Sequence, residues 1–200
     1  MQRICFMEND PLKLFHHYWE EAQKKNDPVA DAISLATVDA GGKPHVRTVL
    51  LKTFRHGEIG FVTRAGGKKI AHIAHCNDVE FSIFWPTLSL QVRMRCTVEE
   101  MDEGLLDLLW GLRARDAKIM YHMGFHQSVV IPSYQFLVGK FKEMQGKWKG
   151  EKDIPRAKFY IGYVFHPYEV EFLHQKKSRL NERYLYEKKG DVWTKTVLAP

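Results

Sequence analysis

Residues 32–52, AISLATVDAGGKPHVRTVLLK, decide the fold of this chain. Ala32 to Asp39 and His45 to Phe54 are rich in β-branched and aliphatic residues. Gly41-Gly42-Lys43-Pro44 between them supplies the residues of a tight reversal, so the stretch predicts two strands joined by a turn. Before it, Asp10-Pro11 marks a helix start, and Leu12, Phe15, Tyr18, Trp19 and Ala22 recur at three- and four-residue spacing. This predicts an amphipathic helix over about residues 11–25, packed on something larger. After the hairpin, Arg55-His56-Gly57 punctuates before a strand at Glu58 to Thr63. A short helix from near Lys68 and strands at Val79 to Trp85 and Ser89 to Val98 follow. Five strands within about seventy residues predict a barrel.

Leu105, Leu106, Leu108, Leu109 and Leu112 then mark one helix, and Phe136, Leu137, Phe141 and Met144 a later one. Strands return at Phe159 to Phe165, Tyr168 to Leu173, Tyr184 to Glu187 and Val192 to Leu198. The last strands are short and need partners from the first half, so the polar segment 147–156 reads as a surface loop within one domain, residues 1–200. The fold class expected is mainly β with flanking helices.

Composition narrows the function. With 200 residues, 44% of them apolar, the chain can bury one sizeable core. Glu8, Asp10 and Pro11 interrupt any apolar N-terminal run, which argues for a soluble, cytoplasmic protein without a membrane span. Cys5, Cys76 and Cys96 form no C-x-x-C pair and are expected to be free thiols. The histidines lack the H-E-x-x-H arrangement, so no metal site is expected. A formal charge of +6 implies an anionic partner: nucleic acid, acidic membrane or a phosphorylated small molecule. The basic residues come in pairs and the tryptophans are not interleaved with them, which argues against nucleic acid.

Three stretches carry chemistry. In Arg47-Thr48-Val49-Leu50-Leu51-Lys52, strand alternation sends the two terminal cations to opposite faces, either as solvated charges or as ligands of two different anions. In Thr63-Arg64-Ala65-Gly66-Gly67-Lys68-Lys69, a strand runs through glycines into a helix. Close backbone approach, free N–H groups and two lysines there suit a phosphate, although an ordinary turn reads the same way. In Arg179-Leu180-Asn181-Glu182-Arg183-Tyr184, the arginines sit between strands, where Glu171, Glu182 or Glu187 can pair with them.

In this order, and with Asp10-Pro11-Leu12, Ala36-Thr37-Val38-Asp39, Gln91-Val92, Arg113-Ala114-Arg115-Asp116, Gln127-Ser128 and the terminal Leu198-Ala199-Pro200, the chain resembles the pyridoxamine 5'-phosphate oxidase family along nearly its whole length. The resemblance implies an FMN-binding split β-barrel working as a homodimer, each cofactor being touched by both subunits. It implies FMN contacts from Arg47 through Lys52, Val62, Thr63, Lys68, Lys69, Gln91, Gln127, Ser128 and Arg183. Lys52, Arg113, Arg179 and Asn181 are implied at the substrate, with Arg179, close to it, as the catalytic residue. The reaction implied is hydride transfer from C4' of pyridoxine or pyridoxamine 5'-phosphate to flavin N5, with O2 as reoxidant.

The chain departs from the family pattern at the substrate end. A tyrosine and a serine of the phosphate site stand here as Leu109 and Ala117, a histidine as Asn181, and a tryptophan near the flavin as Leu173. Gly67 and Lys68 stand for a serine and an arginine, and one extra residue lies between Asp116 and Gln127. If Leu109, Arg113 and Ala117 lie on helical turns, they share a face. Each lost hydrogen bond to a charged group is worth about 1.5–3 kcal/mol, with Arg115, Lys118 and Tyr121 as available replacements. Three readings follow as alternatives: oxidase of the B6 phosphates, an FMN oxidoreductase with a different ring substrate, phosphorylated or not, as in the phenazine-biosynthesis relatives, or a non-catalytic flavin- or pyridoxal-phosphate-binding protein.

Overall fold

The computed structural model describes residues 9–53 and 58–200. The sequence readings at Cys5, Phe54 and Arg55-His56-Gly57 lie outside the described residues. The opening hairpin forms β1 (Ala32–Val38) and β2 (Pro44–Thr53), paired antiparallel from Ala32 opposite Leu50 to Val38 opposite Pro44. Its turn is built by Asp39, whose carboxylate accepts from the backbone N–H of Gly41 (2.9 Å) and Lys43 (3.0 Å). Gly42, at φ +76°, takes the left-handed position that a side chain would resist.

β3 (Ile59–Arg64), β4 (Asp78–Trp85), β5 (Leu90–Glu100) and β6 (Tyr160–His174) complete a six-stranded antiparallel barrel in the order β3-β2-β1-β4-β5-β6, closed by β3 against β6. β7 (Glu182–Lys189) and β8 (Val192–Leu198) extend the sheet beyond β6. Alternate residues of the strands, among them Leu35, Phe61, Phe81, Val92 and Phe172, fill the interior with at most 1% exposure. The helix α1 (Pro11–Lys24) is capped by Asp10, whose carboxylate accepts from Leu12 N–H at 2.9 Å. Its buried face, which includes Phe15 and Trp19, packs on this core, with Phe15 against Trp85 at 5.6 Å.

The segment Tyr160–His174 corrects the sequence reading, which divides it into two strands. Pro167 lacks an N–H and is accommodated where β6 changes neighbours. Residues 160–164 pair with β3 and residues 169–174 with β7, and the register with β5 shifts beside it at Arg95/Cys96.

Helices α2 (Lys68–His75), α3 (Glu103–Gly111), α4 (Arg115–Tyr121) and α5 (Tyr134–Lys147) flank the barrel. α3 and α4 build a second apolar cluster around Leu105, Leu109, Trp110, Ile119 and Tyr160. The loop after α5 is pinned there, because the Trp110 indole donates to the Ile154 carbonyl at 2.8 Å. Leu109, Arg113 and Ala117 therefore do not lie on one helix: α3 ends at Gly111 and α4 starts at Arg115, with Arg113 in the break. Cys76 and Cys96 are free thiols. No helix among the described residues is long and apolar enough to cross a membrane.

Candidate active site

β2, β3 and the start of α2 frame a cavity of about 500 Å³, within the range of small-ligand sites. From β2 come Thr48, Val49, Leu50 and Lys52, and from β3 Val62, Thr63 and Arg64. Lys69, in the first turn of α2, is a buried lysine. Its ammonium donates to Thr63 Oγ1 at 2.8 Å and to Gln127 Oε1 at 2.7 Å, both neutral acceptors. Burial, and next the nearby Arg47 guanidinium, pull its pKa below the ordinary lysine value. Arg47 lies on the opposite face of β2 from Lys52, donating to Thr37 Oγ1 at 2.6 Å and to the Leu35 carbonyl at 3.2 Å. Among the described residues no carboxylate pairs with Lys69 or Arg47. The two cations repel each other and await an anion, beside an α2 N-terminus that no side chain caps.

The chain between α4 and α5 forms the far wall. Arg64 donates to the carbonyls of Met120, at 2.7 Å, and Phe125, so it caps the last turn of α4. His126 Nδ1 lies 3.1 Å from the Ala65 carbonyl, and its ring leans over Gly66, where a Cβ would stand 2.4 Å from it. At φ +78° Gly66 is therefore required both for its backbone and for the approach of the wall. A second cavity of about 370 Å³ shares Lys52, Val62 and Arg113 with the first and is otherwise lined by Leu109, Leu112, Ala114, Ala117 and Tyr160. Among the described residues, neither lobe is lined by a carboxylate or a thiol. Such walls bind and orient anionic, partly apolar molecules, and redox chemistry there must come from a cofactor.

A closed six-stranded barrel whose cleft is lined, among the described residues, by cations and no carboxylate defines a split β-barrel with a site suited to an anionic ligand. Residues 22–148 match the family model described as pyridoxamine 5'-phosphate oxidase, and residues 160–200 match the pyridoxine 5'-phosphate oxidase C-terminal dimerisation region. The pyridoxine/pyridoxamine 5'-phosphate oxidase of Leptospira biflexa is 32% identical over 96% of this chain and 89% of its own length. The protein of that name from Sphingopyxis alaskensis is 33% identical over 97% and 89%. Among solved structures, PhzG from Burkholderia lata, in complex with tetrahydrophenazine-1-carboxylic acid, superposes with a TM-score of 0.88 at 20% identity over 98% of this chain and 95% of that one. An FMN-binding protein from Nostoc punctiforme gives 0.77 at 19% identity over 97% and 100%. These two likenesses are of fold. The chain belongs to the pyridoxamine 5'-phosphate oxidase family, and is an FMN-dependent oxidoreductase that works as a homodimer.

The residues present fit FMN. Lys69 on the cleft wall, and Arg47, which does not line the cleft but lies near enough to lower the Lys69 pKa, are cations with no carboxylate partner among the described residues, suited to its phosphate, and Val49, Leu50 and Val62 offer apolar wall to its ring system. When bound, FMN supplies the two-electron redox centre that no side chain of the cleft has.

Of the residues expected at the cofactor, Thr48, Val49, Leu50, Lys52, Val62, Thr63, Lys69 and Gln127 line the larger lobe, and Arg113, expected at the substrate, borders both. Leu51 is fully buried in the barrel core. Lys68 and Ser128 are exposed, Ser128 in left-handed backbone at φ +68°. Gln91 and Arg183 gather elsewhere, as cross-strand neighbours of Leu173 on β5, β6 and β7. There Arg183 is paired with Glu171 at 2.9 Å. Arg179, at φ +62°, and Asn181, whose side-chain oxygen accepts from Lys176 N–H at 3.0 Å, stand on the exposed turn before β7, outside both lobes. The sequence reading assigned no role to Arg64, Met123, Phe125 or His126, which also line the cleft. The one available signal was Arg64, inside the glycine-rich stretch.

Proposed function

We propose that the chain oxidises pyridoxine or pyridoxamine 5'-phosphate to pyridoxal 5'-phosphate, with one O2 consumed and one H2O2 released per turnover, the amine also taking up one water and releasing its nitrogen as ammonia. The observation that carries this reading is the joint between the lobes: Lys52 and Arg113 border both cavities, and neither cation has a carboxylate partner among the described residues. A substrate phosphate held there in the smaller lobe leaves its ring beside the larger, cofactor lobe, which is the proximity that hydride transfer needs. Lys69, Thr63, Gln127 and Arg47 hold the cofactor end in this scheme. Gln91, Arg179, Asn181 and Arg183 lie outside their own chain's cleft, so they serve the cleft of the second protomer.

The test is aerobic incubation of the FMN-loaded protein with pyridoxine 5'-phosphate. Pyridoxal 5'-phosphate and peroxide are expected in equal amounts, and their absence from a fully loaded protein sinks the proposal. A second reading, a related oxidation of an unphosphorylated ring, is favoured by Leu109 and Ala117, which leave the smaller lobe largely apolar. PhzG, which shares the fold, was crystallised with a ring carboxylic acid. Turnover of such an acid without turnover of the phosphate ester selects it.

A further inference from the structure

Leu109 and Ala117 leave Lys52, Arg113 and Tyr160 as the polar side chains of the smaller lobe, so a further donor to an anion there has to come from across the joint that Lys52, Val62 and Arg113 form with the larger lobe. Three side chains are near enough in sequence, and the structure separates them. The Arg115 guanidinium is spent on the carbonyls of Trp148 and Glu151, and the Lys118 ammonium lies 3.3 Å from the Gly111 carbonyl. Of the three, Tyr121 alone lines either lobe: it stands on the wall of the larger one, beside Arg113, which borders both, and so adjoins the joint between them.

Its placement is tightly determined. The rings of Tyr121 and Tyr160 meet edge to face at 5.1 Å, and the Arg113 guanidinium sits in their corner, 5.0 Å from one centroid and 5.4 Å from the other. Arg64 lies over the Tyr121 ring at 5.2 Å while it holds the Met120 and Phe125 carbonyls on either side. The ring is thus fixed by two cations and one α4 carbonyl clamp. The Nε of Arg113 is buried without a hydrogen-bond partner. Burial pushes the Tyr121 hydroxyl pKa up, with the Arg113 and Arg64 charges pulling the other way, so at neutral pH it remains an O–H donor.

We propose that Tyr121 is a substrate-specificity residue of this site: its ring sets the Arg113 guanidinium, and its hydroxyl donates to the substrate's anionic group in place of the hydroxyls absent at Leu109 and Ala117. The inference rests on the functional reading above for the identity of that group as a phosphate ester. It makes Arg113 and Tyr121 a preassembled pair, with Lys52 supplying charge from β2.

The test uses the full-length, FMN-loaded protein, wild type against Tyr121→Phe, which keeps the ring and removes the hydroxyl. Titration with pyridoxal 5'-phosphate, followed by absorbance, is expected to give a Kd about 10- to 100-fold higher for the variant. Pyridoxal, which lacks the phosphate, should bind both equally. In turnover the loss should fall on KM, with kcat within about twofold. Tyr121→Phe/Leu109→Tyr is expected to recover at least half of the lost affinity on a logarithmic scale, a rescue that a merely structural role does not produce. Arg64→Lys, which loosens the clamp and leaves the hydroxyl, should weaken phosphate binding about three- to tenfold and serves if Tyr121→Phe fails to fold. Equal Kd values for wild type and a folded Tyr121→Phe, or no effect of Arg64→Lys where that variant is the one that folds, overturn the inference. If wild type makes no peroxide from pyridoxine 5'-phosphate, the anion probes become inorganic phosphate and benzoate. Affinity for either that depends on Tyr121 keeps the inference and discards only the phosphate-ester reading, whereas no anion binding at all discards both.

Discussion

Two groups of cations in this molecule have opposite fates. On the outer face of β5, β6 and β7, Arg93 and Arg183 share the buried carboxylate of Glu171, at 2.5 Å from Arg93 Nη2 and 2.9 Å from Arg183 Nη2. At the mouth of β2 and β3, Arg47 and Lys69 meet only hydroxyl, amide and carbonyl oxygens. The first group, with Glu80 3.7 Å from Arg93 Nη1 as its second carboxylate, is neutralised within the fold and contributes to the sheet. The second is held against its own repulsion and burial, a cost that an anionic ligand offsets. Within one protomer, the cations that line or adjoin the cleft are those with no carboxylate partner among the described residues.

The largest expected effect comes from breaking the neutralised group. Glu171→Gln leaves two arginines around a neutral amide, and a loss of about 2–4 kcal/mol in unfolding free energy is expected, the arginines being partly open to water. Urea denaturation measures it, and a loss below about 0.5 kcal/mol would show the pair to be as weak as an exposed one. The unneutralised group responds in the other direction. Lys69→Met removes a desolvated cation, so the urea midpoint of the cofactor-free protein should hold or rise, while FMN affinity falls about 10- to 100-fold. Fluorescence titration of FMN reads the second quantity, and unchanged affinity would remove Lys69 from the site.

The smallest effect is a pH dependence behind Arg47. Its partner Thr37 Oγ1 lies 3.0 Å from Nδ1 of buried His72, whose ring is 4.5 Å from that of His45. Burial first, and then the His45 and Arg47 charges, push the His72 pKa below its ordinary value. The unfolded chain therefore takes up this proton first as pH falls. Stability is fully present above about pH 6.5 and declines below it, down to the folded-state pKa. His72→Gln keeps a hydrogen-bonding group toward Thr37 and should flatten the decline between about pH 7 and 5. Parallel slopes for variant and wild type in urea midpoints would exclude His72 as its source.

Much of the architecture is legible in the sequence, because it depends on local patterns. Alternation in residues 32–52 announces the hairpin, and Asp10-Pro11 opens α1 where it begins. The cleft is less so. Thr63, Lys69 and Gln127 are joined by hydrogen bonds across 6 and 58 residues of chain, and only the first span falls within a readable motif. Pro167 shows the limit from the other side: a residue that ordinarily breaks strands is tolerated where the strand exchanges one neighbour for another.

The sequence alone determined the β-rich class, the hairpin that opens the barrel and the excess of cations. These follow from side-chain periodicity and chemistry, which need no third dimension. Barrel closure by β3 on β6, the pairing of Arg183 with Glu171 while Lys69 goes without a carboxylate, and the arrival of Tyr121 beside Arg113 were decided only by the tertiary structure. Each joins residues distant in the chain, and whether a cation is neutralised depends on which groups the fold brings within a few ångströms, where burial strengthens charge interactions that water would otherwise screen.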